Sequence, residues 1–183
     1  ENYIVLKNTV TDEEIRVYNK DTSVTDLFGC KVDAYVKTDK NTGKSELVYM
    51  RANSRNSLIK INSEDIRNSS TSYVEYGKEE DAKFKKMNFD VDNLYAFVNG
   101  YKIDGYSSVD FAPNYGEVTY IDNSGDGKID VILVDNIERQ VIASAKPLEN
   151  KRILCKSSVA NSLDLSGVNI VTRVFRDGVV TTL

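Results

Sequence analysis

The chain has no histidine and no tryptophan, only two prolines and two cysteines. It also has no apolar run near the ~20 residues that span a bilayer as a helix. Each shortage closes a class of function. Without histidine there is no Ser-His-Asp or Cys-His catalysis, no His-ligated zinc, and no access to most general-base schemes. Two cysteines, Cys30 and Cys155, are too few for a Cys-rich metal centre. They read either as one disulfide clamping the first third of the chain to the last, or as two buried thiols. The thiols are favoured, because free cysteine is among the most buried residue types. The sequence shows no signal-peptide pattern, and Glu1 in place of Met reads as a processed chain or an excised piece.

Basic and acidic residues nearly balance, 24 against 28, and the net charge of −4 argues against nucleic acid or an anionic membrane as partner. A hydrophobic share of 40% supports a real core. Over 183 residues that means one domain or two small ones. We expect a single β-rich unit over 1–183 that could divide into lobes 1–85 and 86–183, because the charged segment at 78–90, densest over Lys78–Lys86, is the one plausible seam in the chain. That stretch otherwise reads as a solvated loop. The 11 tyrosines, with abundant Asn and Ser, fit a β-rich extracellular or surface protein.

Short alternating runs with turn signals between them recur along the chain. Glu14–Tyr18, Lys31–Lys37, Leu47–Met50, Leu58–Ile61, Tyr73–Tyr76, Gln140–Ala143 and Arg152–Cys155 read as strands. Asn41–Lys44 closes one hairpin. Asn99-Gly100 closes the clearest one, since it supplies both positive-φ residues of a type I′ turn. Asp177-Gly178 marks another near the end. Single helical turns are expected near Thr25–Gly29, Ser63–Ile66 and Ser107–Phe111. The fold class is therefore all-β, with short antiparallel strands and hairpins forming a barrel- or sandwich-like unit.

The most specific stretch is Ile121-Asp122-Asn123-Ser124-Gly125-Asp126-Gly127-Lys128-Ile129-Asp130-Val131. Oxygen-bearing side chains stand at the first, third, fifth and ninth places of a loop beginning at Asp122. Calcium takes about six to eight oxygen ligands, and alternate residues of a tight loop can supply them. Asp122, Ser124, Asp126 and Asp130 are the candidate side-chain ligands. Lys128 would contribute its backbone carbonyl, and Gly127 would allow the sharp turn. Leu133 stands where an EF-hand needs a bidentate Glu, and the flanks read as strands, so the loop is not an EF-hand. A plain polar turn would use the same residue types. Against that reading stand three carboxylates crowded together, which repel one another unless a cation is present.

The loop resembles the DxDxDGxxD calcium loop of FG-GAP and integrin-type repeats, with Ser124 departing from the usual Asp or Asn. More widely, the chain from about residue 25 onward resembles uncharacterised surface proteins of clostridia and related Gram-positive bacteria that carry S-layer homology modules. Leu27–Lys37, the hairpin ending Leu47-Val48-Tyr49, Leu94–Tyr101, Pro113–Val118, the 121–131 loop, Ile142–Ala145 and Leu163–Leu165 carry the likeness. It implies an envelope or cell-surface location and a non-catalytic structural or interaction role, with other surface-protein domains or a cell-wall polymer as partner. A phage virion component is an alternative. A carbohydrate-binding module is another, suggested by Tyr95, Tyr101, Tyr106 and Tyr115 around the Asn99-Gly100 hairpin. A two-carboxylate glycosidase would draw on Glu64 and Asp65, Glu79 and Glu80, or Asp90 and Asp92. Adjacent acids of this kind more often mark solvated corners, so no enzymatic activity is expected.

Overall fold

The computed structural model describes residues 3–19 and 22–137, together with strands at 142–146, 152–155, 162–164, 174–176 and 179–181. The chain divides into two compact units, Glu1–Ile137 and Glu138–Leu183. In the first, the strands are β1 (Tyr3–Lys7), β2 (Glu14–Tyr18), β3 (Val32–Thr38), β4 (Ser45–Ala52), β5 (Ser57–Asn62), β6 (Ile66–Ser69) and β7 (Tyr73–Tyr76). They continue as β8 (Lys85–Phe89), β9 (Tyr95–Val98), β10 (Tyr101–Ile103), β11 (Gly116–Asp122), β12 (Lys128–Ile129) and β13 (Val131–Asn136). Three short 3₁₀ turns, Thr22–Leu27, Ser63–Asp65 and Ser108–Phe111, are the helical pieces among the described residues.

These strands form three sheets, ordered β1-β2-β4-β3, β10-β9-β13-β11-β5 and β12-β8-β7-β6. The strands on either side of residue 85 share sheets, since β5 pairs with β11 and β7 with β8. The second and third sheets pack face to face in a sandwich-like arrangement, and none of the three closes into a barrel. Ile61, Ala96, Val118, Tyr120, Ile132 and Val134 come from one inner face; Val74, Met87, Phe89 and Ile129 come from the other. Phe111 is buried among them. Its ring meets Phe89 edge-on at 5.6 Å, and Phe89 in turn stacks on Tyr120 at 6.1 Å. Each fully buried apolar side chain of this size contributes about 1.5–3 kcal/mol relative to exposure.

Pairing is mostly antiparallel, as the turn chemistry implies, but three contacts are parallel: β13 with β9, β12 with β8, and β2 with β4. A parallel pair needs a long connection rather than a tight turn, so no local sequence signal announces it. In the second unit, β14 (Ile142–Lys146), β15 (Arg152–Cys155) and β16 (Ser162–Asp164) make an antiparallel sheet. There β17 (Val174–Arg176) pairs antiparallel with β18 (Val179–Thr181). Gln140, Val141, the Asp177-Gly178 turn and the side chain of Cys155 lie outside the described residues. Cys30 is a half-buried free thiol, and burial pushes its pKa up.

Strand β11 is central, paired with β13 on one side and β5 on the other. Its alternation sends Val118 and Tyr120 into the sandwich and Thr119 and Ile121 to the opposite face. There the chain between β2 and β3 comes down onto the sheet at Gly29. A Cβ at Gly29 would lie 3.1 Å from Val131 Cγ1, 3.2 Å from Ile121 Cδ1 and 3.3 Å from Leu133 Cδ2. Next to it, the Phe28 ring meets Phe97 edge-on at 4.9 Å.

Gly29 and Gly43 both hold positive φ, but a Cβ at Gly43 would meet nothing within 4 Å. Gly29→Ala should therefore destabilise the protein by about 1–3 kcal/mol more than Gly43→Ala, the usual cost of overpacking. Equal denaturation midpoints for the two variants would disprove the close approach.

Candidate metal centre

Strand β11 ends at Asp122, and the chain re-enters a strand at Lys128 and again at Val131. The eight-residue span between β11 and β13 is tight because it is folded around side-chain carboxylates. Asp122 is 6% exposed. Its Oδ1 accepts from Ser124 N at 3.0 Å, Gly125 N at 2.6 Å and Ser124 Oγ at 3.2 Å, and its Oδ2 accepts from Gly127 N at 2.8 Å. Gly127 has φ +84°, the left-handed conformation that the sequence pattern requires there.

Asp130, half-buried, accepts through Oδ2 from Asn123 N at 2.6 Å and Ser124 N at 3.1 Å. Ser124 N thus donates to Asp122 and Asp130 at once, which places the two carboxylates side by side. Ser124 Oγ also accepts from Asp126 N at 3.3 Å. Asp126 is exposed, and its Oδ1 accepts from Lys128 N at 2.8 Å. Lys128 is exposed and pairs with Asn88 of β8. The structure therefore joins Asp122, Ser124 and Asp130 in one network and turns Asp126 toward Lys128. Among the described residues, no group of three or more His, Cys, Asp or Glu side chains is arranged to hold a metal ion. The loop's carboxylates serve its own amides.

The charges are nonetheless felt. At Asp130, burial pushes the carboxyl pKa up and the charges of Asp122 and Asp126 add to it, against the pull of the Asn123 and Ser124 amides. At Asp122 burial also disfavours the charge, but the Gly125, Gly127 and Ser124 donors outweigh it and hold the carboxyl below its ordinary value. The two groups act on stability with opposite sign. The contribution of Asp122 is present above the ordinary carboxylate pKa of about 3.9 and is lost as pH falls through its depressed folded value. That of Asp130 is present at low pH and is lost as pH rises through its raised folded value.

One residue of the site is not among the expected ligands. Asn123 reaches out of the loop: its Nδ2 donates to Gly29 O at 2.9 Å, and its Oδ1 accepts from Lys31 N at 2.7 Å. Asn56 Nδ2 donates to Lys31 O at 2.8 Å from the turn before β5. The acidic loop is thereby tied to the chain that covers its sheet. Nothing in the local sequence marks Asn123 for this task, because its partners lie more than ninety positions away.

No family model, curated protein or solved structure matches the chain. The site must be read from its own chemistry.

The other candidates are dispersed. Tyr101 and Tyr115 are exposed. Tyr95 lies under the ammonium groups of Lys7 and Lys102, and Tyr106 packs on Phe111 at 5.0 Å. Glu64 and Asp65 sit on a 3₁₀ turn, and Glu79 and Glu80 on an exposed turn. Asp90 accepts from Asn93 Nδ2 at 3.1 Å in the turn after β8. An open cleft of about 430 Å³ on the outer face of the central sheet is lined by Phe28, Leu58, Phe97 and Leu133, with Asp26 and Lys60 among its polar residues. None of the acidic pairs lines it.

Asp130→Asn keeps an oxygen for the two amides and removes a charge that the fold disfavours. In chelator at neutral pH, this variant should be at least as stable as the parent, and its stability should fall less as pH rises through the acidic range. Denaturant titration across that range checks it; a clear loss of stability at neutral pH would show that the ionised carboxylate is needed.

Proposed function

We propose that this chain is a non-catalytic structural and interaction domain of a bacterial surface protein, with a calcium ion stiffening the 122–130 loop. The observation that carries the reading is the placement of Asp122 and Asp130 on one shared amide, with Asp126 near enough to raise the pKa of Asp130. A divalent cation would relieve that repulsion. Asp122, Ser124, Asp126 and Asp130 would hold it with the Lys128 carbonyl, Asp126 through the Oδ2 that Lys128 N does not use. The ion would fix the loop, and the loop the register of β11 against β13. The surface location and the S-layer association rest on the family resemblance in the sequence.

Binding to the folded state alone raises stability by mass action, by about 2.7 kcal/mol at a hundredfold excess over Kd. Millimolar calcium should therefore raise the melting temperature relative to chelator, and Asp126→Ala should remove the difference. Identical melting curves with and without calcium would defeat the metal assignment while leaving the structural role standing.

A second reading, saccharide binding, is favoured by a different pair of rings from those around Asn99. Tyr35 and Tyr49 are cross-strand partners on β3 and β4 and are 66% and 58% exposed. Asp33 and Arg51 are the partners two residues along the same face. Arg51 Nε lies 3.3 Å from Asp33 Oδ2, and Asn53 Nδ2 donates to Asp33 Oδ1 at 3.0 Å. Open aromatic faces beside fixed polar groups suit a neutral, hydroxyl-rich ligand. On this reading, titration with cell-wall polysaccharide should saturate, and the double variant Tyr35→Ala, Tyr49→Ala should lose the signal. Binding unchanged in that variant, or absent from the parent, would reject it.

A further inference from the structure

The Asn99-Gly100 turn that closes the β9–β10 hairpin carries a chemical property beyond its conformation. It is the one Asn-Gly step in the chain. An asparagine followed by glycine can lose its amide without an enzyme. The backbone nitrogen of the glycine attacks the side-chain Cγ, a C–N bond forms, and ammonia leaves with the transferred proton. Water then opens the five-membered imide. Opening at the former side-chain carbonyl gives aspartate; opening at the main-chain carbonyl gives isoaspartate, which adds one carbon to the backbone.

Both residues are exposed, and a Cβ at Gly100 would meet nothing within 4 Å, so water and base have free access. The conformation opposes the reaction. Asn99 has φ +50° and Gly100 φ +83°. A left-handed residue carries ψ near +47°. In an L-residue the torsion from Cβ to the next nitrogen exceeds ψ by about 120°, so at this ψ the Gly100 nitrogen stands nearly anti to the Asn99 Cβ. Ring closure needs the two on the same side. The side chain is also held: Asn99 Oδ1 accepts from Asn136 N at 2.8 Å, while Asn99 N donates to Val134 O at 2.8 Å. Both contacts lock the turn against the end of β13.

We propose that Asn99 is a spontaneous deamidation site silenced by the folded hairpin, so that its modification records opening of the β9–β10 turn. The Asp-Gly step at 126–127 offers a contrast within the same unit. There the attacking Gly127 nitrogen is engaged by Asp122 Oδ2 at 2.8 Å, so the protection lies on the nucleophile rather than on the turn.

The consequence is directional. An aspartate at 99 keeps an oxygen for Asn136 N, and the hairpin survives. An isoaspartate lengthens a two-residue turn whose strands pair Val98 with Tyr101 and Phe97 with Lys102, and the register cannot be kept.

The test is peptide mapping by mass spectrometry of the whole chain incubated in ¹⁸O-water at mildly alkaline pH, native and in denaturant. In denaturant, the peptide containing Asn99 should be the first Asn-containing peptide to incorporate the label. In the native protein its conversion should be slower by about tenfold or more, as local opening free energies of a packed hairpin imply. Low denaturant, below the global transition, should raise the native rate smoothly. Equal rates in the two states would overturn the protective role of the turn. Earlier conversion of another asparagine in denaturant would overturn the assignment of the site. The Asn99→Asp variant serves as the product standard and should fold with β9–β10 intact; a failure to fold would overturn the claim that only the isoaspartate breaks the register.

Discussion

Four donors from one short loop converge on the carboxylate of Asp122, and that carboxylate is buried at the end of the central strand of the sandwich. A buried charge is costly unless hydrogen bonds replace its water. The backbone of the loop is the nearest source of such bonds, so the burial of Asp122 dictates the path of the chain over the next five residues. Gly127 turns left-handed because its N–H must reach Oδ2. Ser124 and Gly125 fold back because theirs must reach Oδ1. With the path set, Asn123 is carried to the place where its side chain meets Gly29 and Lys31. The covering segment at 28–31 thus depends on a charge at the far side of the sheet.

The second carboxylate makes the arrangement uneasy. Asp130 accepts from two amides, Asn123 N and the Ser124 N that it shares with Asp122, yet its burial and its neighbours oppose its ionisation. Two opposed linkages in one loop mean that pH acts on the site twice: acid removes the support of Asp122 and relieves the strain at Asp130. An added cation would act as acid does at Asp130 without taking the charge from Asp122. On the calcium reading, this asymmetry, rather than a bare count of acidic residues, is what a divalent ion would relieve.

Much of this is legible in the sequence, for local reasons. The Asn99-Gly100 hairpin follows from the two positive-φ positions that a two-residue turn demands, and both angles are found positive. Gly127 follows from the same logic in the acidic loop. The sandwich character follows from short alternating strands with turn chemistry between them. What could not be read was non-local. The parallel pairing of β13 with β9 and of β12 with β8 is set by packing across the core, and the sequence of either strand is indifferent to its partner's direction. Asn123 looks like one more turn residue until Gly29 O and Lys31 N are in view. The division of the chain after Ile137 is marked by no run of proline, glycine or charge.

The carboxylate count sets a limit on how a cation can enter. A carboxylate offers about four lone-pair sites, and Asp122 already accepts four hydrogen bonds. Three of those bonds fall on Oδ1 and one on Oδ2, so an ion at Asp122 would use the lone pair of Oδ2 that Gly127 N leaves free. Asp126 accepts Lys128 N through Oδ1, which leaves its Oδ2 for an ion. On the calcium reading, an affinity in the range of extracellular modules, about 0.1–1 mM, would let the site fill by the abundance of the ion rather than by strength. The amides already on Asp122 and Asp130 fix the path of the loop, and an ion there would add to those contacts rather than replace them.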